Sequence, residues 1–182
     1  MKKAIIVINI IFLNSLFCIG QNMVPAPADK AVIYFVRAEL GFLIHFSYFD
    51  SAKLIGRFNG PKYIRYECEP GPHHFWAKAE NMDFIEADVE AGKIYFIEAV
   101  STGLLSTCVG LHPIDPKDEK KLAKLLRLLD RKPSETFTAK EIENDTKELA
   151  DVITRGLEKN KKQREKGKTI KRLKKTMYYN NQ

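Results

Sequence analysis

Residues 62–79 read KYIRYECEPGPHHFWAKA. Two short runs of strand-forming residues, 62–68 and 73–79, flank Pro70-Gly71, the pair suited to the centre of a type II turn. The same stretch sets Cys68 within seven positions of His73 and His74, which also invites a metal or Cys-His catalytic reading. Successive residues of a strand point to opposite faces, so His73 and His74 cannot both reach one metal if 73–79 is extended. Strand, corner, strand is therefore the reading taken, with Pro70, Gly71 and His73 as structural turn residues.

The pattern continues on both sides of this corner. Residues 30–37 are apolar on both faces, which predicts a central strand, and 42–49 alternate with Phe42, Ile44, Phe46 and Tyr48 on one side. Residues 53–58 run into Asn59-Gly60, a strong hairpin signal. Further runs follow at 83–90, after the Ala91-Gly92 corner at 93–101, and at 106–114. Short runs at this spacing predict an antiparallel β-sandwich of about 7–8 strands over residues 30–114.

The composition changes at residue 115. Asp115 is placed to cap a helix, Pro116 suits its first position, and Leu122, Leu125, Leu126 and Leu129 share a stripe. A second start at Thr138 to Glu141 has the capping-box pattern, followed by Ile142, Thr146, Leu149, Ile153 and Leu157 on one face. Residues 115–157 thus read as a helical extension packed on the sandwich. From Arg155 onward eleven Lys or Arg stand against Glu158 and Glu165, a net of +9 in a chain that carries +7. The remainder sums to about −2, so the positive charge is local to a basic tail, residues 158–182.

The N-terminus, MKKAIIVINIIFLNSLFCIG, has Lys2 and Lys3, an apolar run, and Cys18 and Gly20 ahead of Gln21. That is the layout of a secretory signal peptide, residues 1–20, followed by a Pro-containing linker at 21–29. Phe17 before Cys18 disfavours lipoprotein processing, which wants a small residue there. Export leaves Cys68 and Cys108 free to pair. A bond between them closes a loop of about 40 residues, worth about 4 kcal/mol in the chain-entropy view.

The middle of the chain resembles the domain of unknown function 2846 family of exported bacterial proteins. The residues that carry the likeness are AVIYFVR (31–37), Gly56, Tyr63, Pro70, Gly71 and His73, then Gly92, Lys93 and Tyr95, and Gly103-Leu104. The resemblance runs over roughly Ala31 to Leu129. It implies a small envelope β-sandwich with no catalytic residues to carry over. In one departure, Asp50 is followed by Ser51 where the family usually has glycine, which leaves the geometry of that hairpin open.

Two surfaces stand out for binding. In the hairpin over 73–90, a loop at Glu80, Asn81 and Met82 sets Phe75, Ala77 and Ala79 toward the core with Ile85, Ala87 and Val89. His74 then lies opposite Asp88, and Trp76 opposite Glu86. The outer face carries His74, Trp76, Lys78, Glu86 and Asp88, with the tryptophan as a stacking platform for a polar ligand such as a glycan. The tail sets Lys161, Lys162, Arg164, Lys171, Arg172, Lys174 and Lys175 beside Leu157, Ile170, Leu173 and Met177, which suits a basic amphipathic helix on an anionic membrane surface. There is no G-x-S-x-G elbow, phosphate loop or H-E-x-x-H, and no metal-ligand spacing or cofactor motif. The expectation is a non-catalytic module of the periplasm or cell envelope, with a structural or binding role and a glycan, protein or anionic membrane as partner. Export disfavours nucleic acid. An enzyme built on the cysteines and histidines is the alternative.

Overall fold

The structure is a computed structural model that describes residues 23–39, 44–102 and 107–180. The predicted signal peptide, Phe42 and the Gly103-Leu104 pair fall outside these residues. The strands are β1 (Ala31–Arg37), β2 (Phe46–Asp50), β3 (Lys53–Phe58), β4 (Lys62–Cys68), β5 (Gly71–Lys78), β6 (Met82–Val89), β7 (Ile94–Thr102) and β8 (Cys108–Pro113). Helices α1 (Glu119–Arg131), α2 (Ala139–Glu148) and α3 (Ala150–Glu165) follow, and then β9 (Lys171–Leu173).

The fold is mainly β and sandwich-like. One sheet has the order β4-β1-β7-β8 and the other β3-β2-β5-β6-β9. Both are mixed, because β1 pairs parallel to β7 and β6 parallel to β9; the all-antiparallel expectation is corrected on this point. The reason lies in the connections. Asn59-Gly60 does not close a hairpin, since β3 and β4 belong to different sheets. The Pro70-Gly71 corner likewise passes the chain from β4 in one sheet to β5 in the other. Each turn residue bends the chain as expected, with Gly60 and Gly71 at φ 69° and 116°, but the bend leads across the sandwich. A further crossing, at Ala91-Gly92 between β6 and β7, returns the chain to the first sheet beside β1 with the same polarity.

Strand β1 is buried along its whole length because it is covered twice. Ala31, Ile33 and Phe35 face the core between the sheets, while Val32, Tyr34 and Val36 face Leu125 and Leu129 of α1. Helix α1 begins one turn later than Asp115 suggests. Asp118 is its cap and accepts from the Lys121 amide, while the Asp115 carboxylate closes a turn by accepting from the Lys117 amide. The capping box at Thr138 and Glu141 forms as expected. The single second helix is instead broken at Leu149 into α2 and α3, so the apolar stripe is re-aimed. Leu149 and Ile153 pack on the outer face of the five-stranded sheet with Phe49, Leu54, Trp76 and Phe84, whereas Leu157 is 39% exposed. The layers therefore run helix, sheet, sheet, helices.

Two further expectations change. Residues 23–29 are not a free tether, since Met23 is buried with the α1 layer and the Pro25 carbonyl accepts from the Arg65 guanidinium. Cys68 and Cys108 are both free thiols. They lie three strands apart, about 14 Å at the usual strand spacing, and at opposite ends of the sheet, Cys68 beside Ala31 and Cys108 beside Thr102. A disulfide needs α-carbons within about 7 Å, so the fold excludes the intramolecular bond.

Ser51 takes the left-handed conformation, φ 51°, a backbone setting that favours glycine. Its backbone amide donates to the His74 carbonyl and its carbonyl accepts from the Trp76 indole. Glycine keeps both bonds and removes the steric cost of this φ, about 1 kcal/mol, less what glycine loses in unfolded-state entropy. Ser51→Gly is therefore expected to raise stability by about 0.5 kcal/mol, read as a higher urea midpoint at constant slope. A lower midpoint would show that the serine side chain outweighs the strain.

Candidate functional site

The β5-β6 hairpin positions most of the residues of interest. His74 lies opposite Glu86, Trp76 opposite Phe84 and Lys78 opposite Met82, a register offset by two from the one expected. The tip fixes this offset. The Asn81 side chain exchanges two hydrogen bonds with the backbone of Val109, and Asp83 accepts from the Leu111 amide, so both polar residues are tied to β8. An offset of two preserves the faces. Phe75, Ala77, Ile85, Ala87 and Val89 indeed join the core, and His74, Trp76, Lys78, Glu86 and Asp88 point away from it.

That outer face is covered. Trp76 is 1% exposed, stacks on Phe49 at 3.9 Å between centroids and donates to the Ser51 carbonyl at 2.8 Å. Gly156 of α3 presses on its other side, so closely that a β-carbon there would sit 2.5 Å from the ring. Trp76 is a core residue and offers no stacking platform to a ligand. Lys78 lies apart from His74, in a hollow with Arg155 and Lys159.

The segment read as a basic tail folds back onto this hairpin. Helix α3 runs on through Lys161, Lys162 and Arg164, and β9 then adds to the edge of β6. The distal amphipathic helix is corrected accordingly. Leu173 is 1% exposed in the main core, Met177 packs against the same core and Ile170 against the Trp76 layer, so this apolar face is spent on the protein. Of the seven cations, Lys171 pairs with Asp83 at 2.6 Å and Lys161 with Glu165 at 4.0 Å. Lys162, Lys174 and Lys175 are exposed.

The two surfaces meet at Glu86. Arg164 reaches one of its carboxylate oxygens at 2.9 Å and Arg172 the other at 3.0 Å. Arg164 also donates to the His74 ring at 2.7 Å. Burial, and then the Arg164 charge, lower the His74 pKa and favour the neutral ring that accepts this bond. Around the bridge lies an open cleft of about 760 Å³, with Asp88, Lys174 and Lys175 on its rim. Its four Arg and Lys side chains, with His73 also in the lining, exceed its two carboxylates, Glu86 and Asp88, and guanidinium forks match carboxylate and phosphate geometry. A site with this lining can take an anionic group.

His73, on the other face, is held differently. Its Nδ1 meets the Asp50 carboxylate at 2.8 Å and its Nε2 the Glu69 carbonyl at 2.7 Å, while the Tyr66 hydroxyl donates to the same Asp50 oxygen at 3.1 Å. The bond to Asp50, helped by Cys68, pushes the His73 pKa up to about 10. A ring with acceptors at both nitrogens is an imidazolium, which has no lone pair with which to activate the buried Cys68 thiol. Sequence reading missed Asp50 and Tyr66 as partners of His73. The pairing of Arg164 and Arg172 with Glu86 was missed as well, although acids facing out from a strand and bases in a later segment are a sign of it. Among the described residues no group of three His, Cys, Asp or Glu is placed to hold a metal, and no helix is long and apolar enough to cross a membrane. No family model, curated protein or solved structure matches the chain.

Proposed function

We propose that the chain is an exported, non-catalytic β-sandwich module with a structural or binding role in the cell envelope, and that it holds an anionic group of its ligand in the cleft at Glu86. The observation that carries this reading is the convergence of Arg164 and Arg172, from two separate elements, on one carboxylate in an open cleft. The internal carboxylate keeps the guanidiniums in place. The surplus charge of Lys174 and Lys175 is available to an incoming carboxylate or phosphate. Export is supported by the signal-like N-terminus and by the resemblance to the domain of unknown function 2846 family. The non-catalytic reading is supported by His73, whose ring nitrogens are both committed.

Ligand-observed NMR with glucuronate, glucose 6-phosphate and neutral glucose tests the cleft. Both anionic sugars are expected to bind and glucose is not, and Arg164→Gln with Arg172→Gln is expected to weaken binding about tenfold, the scale of one lost charge-assisted contact. If neither anionic sugar binds at millimolar concentration, or the double variant binds equally well, the proposal is lost.

A further inference from the structure

The opposite flank of α3 carries a second charged surface that the cleft does not use. Arg155, Lys159, Lys162 and Lys166 recur at steps of four, three and four residues, which places them on one stripe of the helix. The stripe is about 16 Å long at the rise of an α-helix. It is extended at both ends. Gly167, at φ 63°, closes the helix, the Lys168 amide donates back to the Gln163 carbonyl, and Lys168 lines one hollow with the stripe. At the other end Lys78 of β5 shares a hollow with Arg155 and Lys159.

Among the described residues, the charge of this ridge is not neutralised within it. Two adjoining hollows share Arg155 and Lys159, and together they set six cations against Glu80 and Glu158, a surplus of +4. Glu80 is already engaged by the Thr107 hydroxyl at 2.7 Å. Cations elsewhere in the same segment are paired, Arg164 and Arg172 with Glu86 and Lys171 with Asp83. Burial, and then the charges of Arg155 and Lys159, hold the Lys78 ammonium below its ordinary pKa. Like charges held together cost folding free energy, and an anion that lies along them relieves it.

We infer that this ridge is a docking surface for a linear polyanion, an acidic polysaccharide whose successive anionic groups follow the turns of α3. A bilayer is the poorer fit. Interfacial binding needs an apolar face beside the charges, and the exposed Leu157 lies half a turn away, on the side of Arg164. A single row of cations offers electrostatic contact along a line, and lines suit chains.

The test is fluorescence anisotropy of labelled oligogalacturonate with the full-length protein, at rising salt, beside flotation with vesicles of phosphatidylethanolamine and phosphatidylglycerol. Oligogalacturonate is expected to bind, with affinity falling steeply as salt rises. Replacing Arg155, Lys159, Lys162 and Lys166 together by glutamine is expected to weaken it at least about tenfold. The charge reversal Lys162→Glu gives the same direction should the fourfold variant not fold. An equal loss of charge away from both surfaces, Lys140→Gln with Lys147→Gln on α2, is expected to leave oligogalacturonate affinity unchanged, which separates the ridge from the charge of the chain as a whole. Equal affinity of the ridge variants overturns the inference, as does binding to the vesicles with none to oligogalacturonate.

Discussion

Replacing Trp76 by alanine is expected to lower stability by about 3–5 kcal/mol, the cost of removing a buried aromatic from a closed contact. The indole is the shared surface of three elements. It stacks on Phe49 and Phe84 within the sheet, reaches the Ser51 carbonyl, and meets Gly156 of α3. Urea unfolding measures the loss, and amide exchange locates it, with protection falling first in α3. A double-mutant cycle sharpens the test. Gly156→Ala alone must push a β-carbon to 2.5 Å from the ring, and is expected to destabilise by about 1–3 kcal/mol as overpacking. In the Trp76→Ala background that clash is gone, and alanine's helix preference, about 1 kcal/mol over glycine, makes the same change neutral or stabilising. Additive costs would show that α3 does not rest on the indole.

The second large effect is alkaline. His73 is raised from 6.5 to about 10 in the folded protein by its bond to Asp50. A histidine whose folded pKa lies above the unfolded value contributes stability that is fully present below the unfolded pKa and lost as pH rises through the folded one. The window therefore runs from pH 6.5 to about 10. Allowing for partial solvent access, the loss is about 2 kcal/mol, the scale of a hydrogen bond between charged groups. Burial raises the Tyr66 and Tyr95 hydroxyls above 10.0, so their ionisation in the unfolded chain weakens the fold only at higher pH. Unfolding midpoints at pH 7, 8, 9 and 10 should fall for the native chain and stay level for His73→Gln. A parallel decline in both would remove His73 as the cause.

Strands were legible in this sequence because a half-buried strand writes its burial into alternate residues. The connections were not, because Asn59-Gly60 and Pro70-Gly71 specify a bend and not the sheet into which the chain bends. Neither the parallel pair β1-β7 nor the two-sheet arches could be read from turn chemistry alone. Strand β9 escaped for another reason. Its three residues contribute one apolar side chain, Leu173, while Lys171 and Arg172 read as tail because their partners, Asp83 and Glu86, lie more than eighty positions earlier. The burial of Trp76 had a faint signal in Gly156, since a glycine inside a helical pattern marks a close approach. The outer face was assigned correctly and its covering was not. Alternation tells which side a residue faces, and what packs there is set by distant chain.

The parallel pairing of β9 with β6 also bears on how the molecule is made. Until residue 173 has emerged, β6 keeps a row of free amide and carbonyl groups, and the floor beneath Ala87 lacks Leu173. Such a margin is a template for pairing with another chain. A nascent chain thus passes through a stage with an open seam, and the basic C-terminal segment works as the latch that closes it from within.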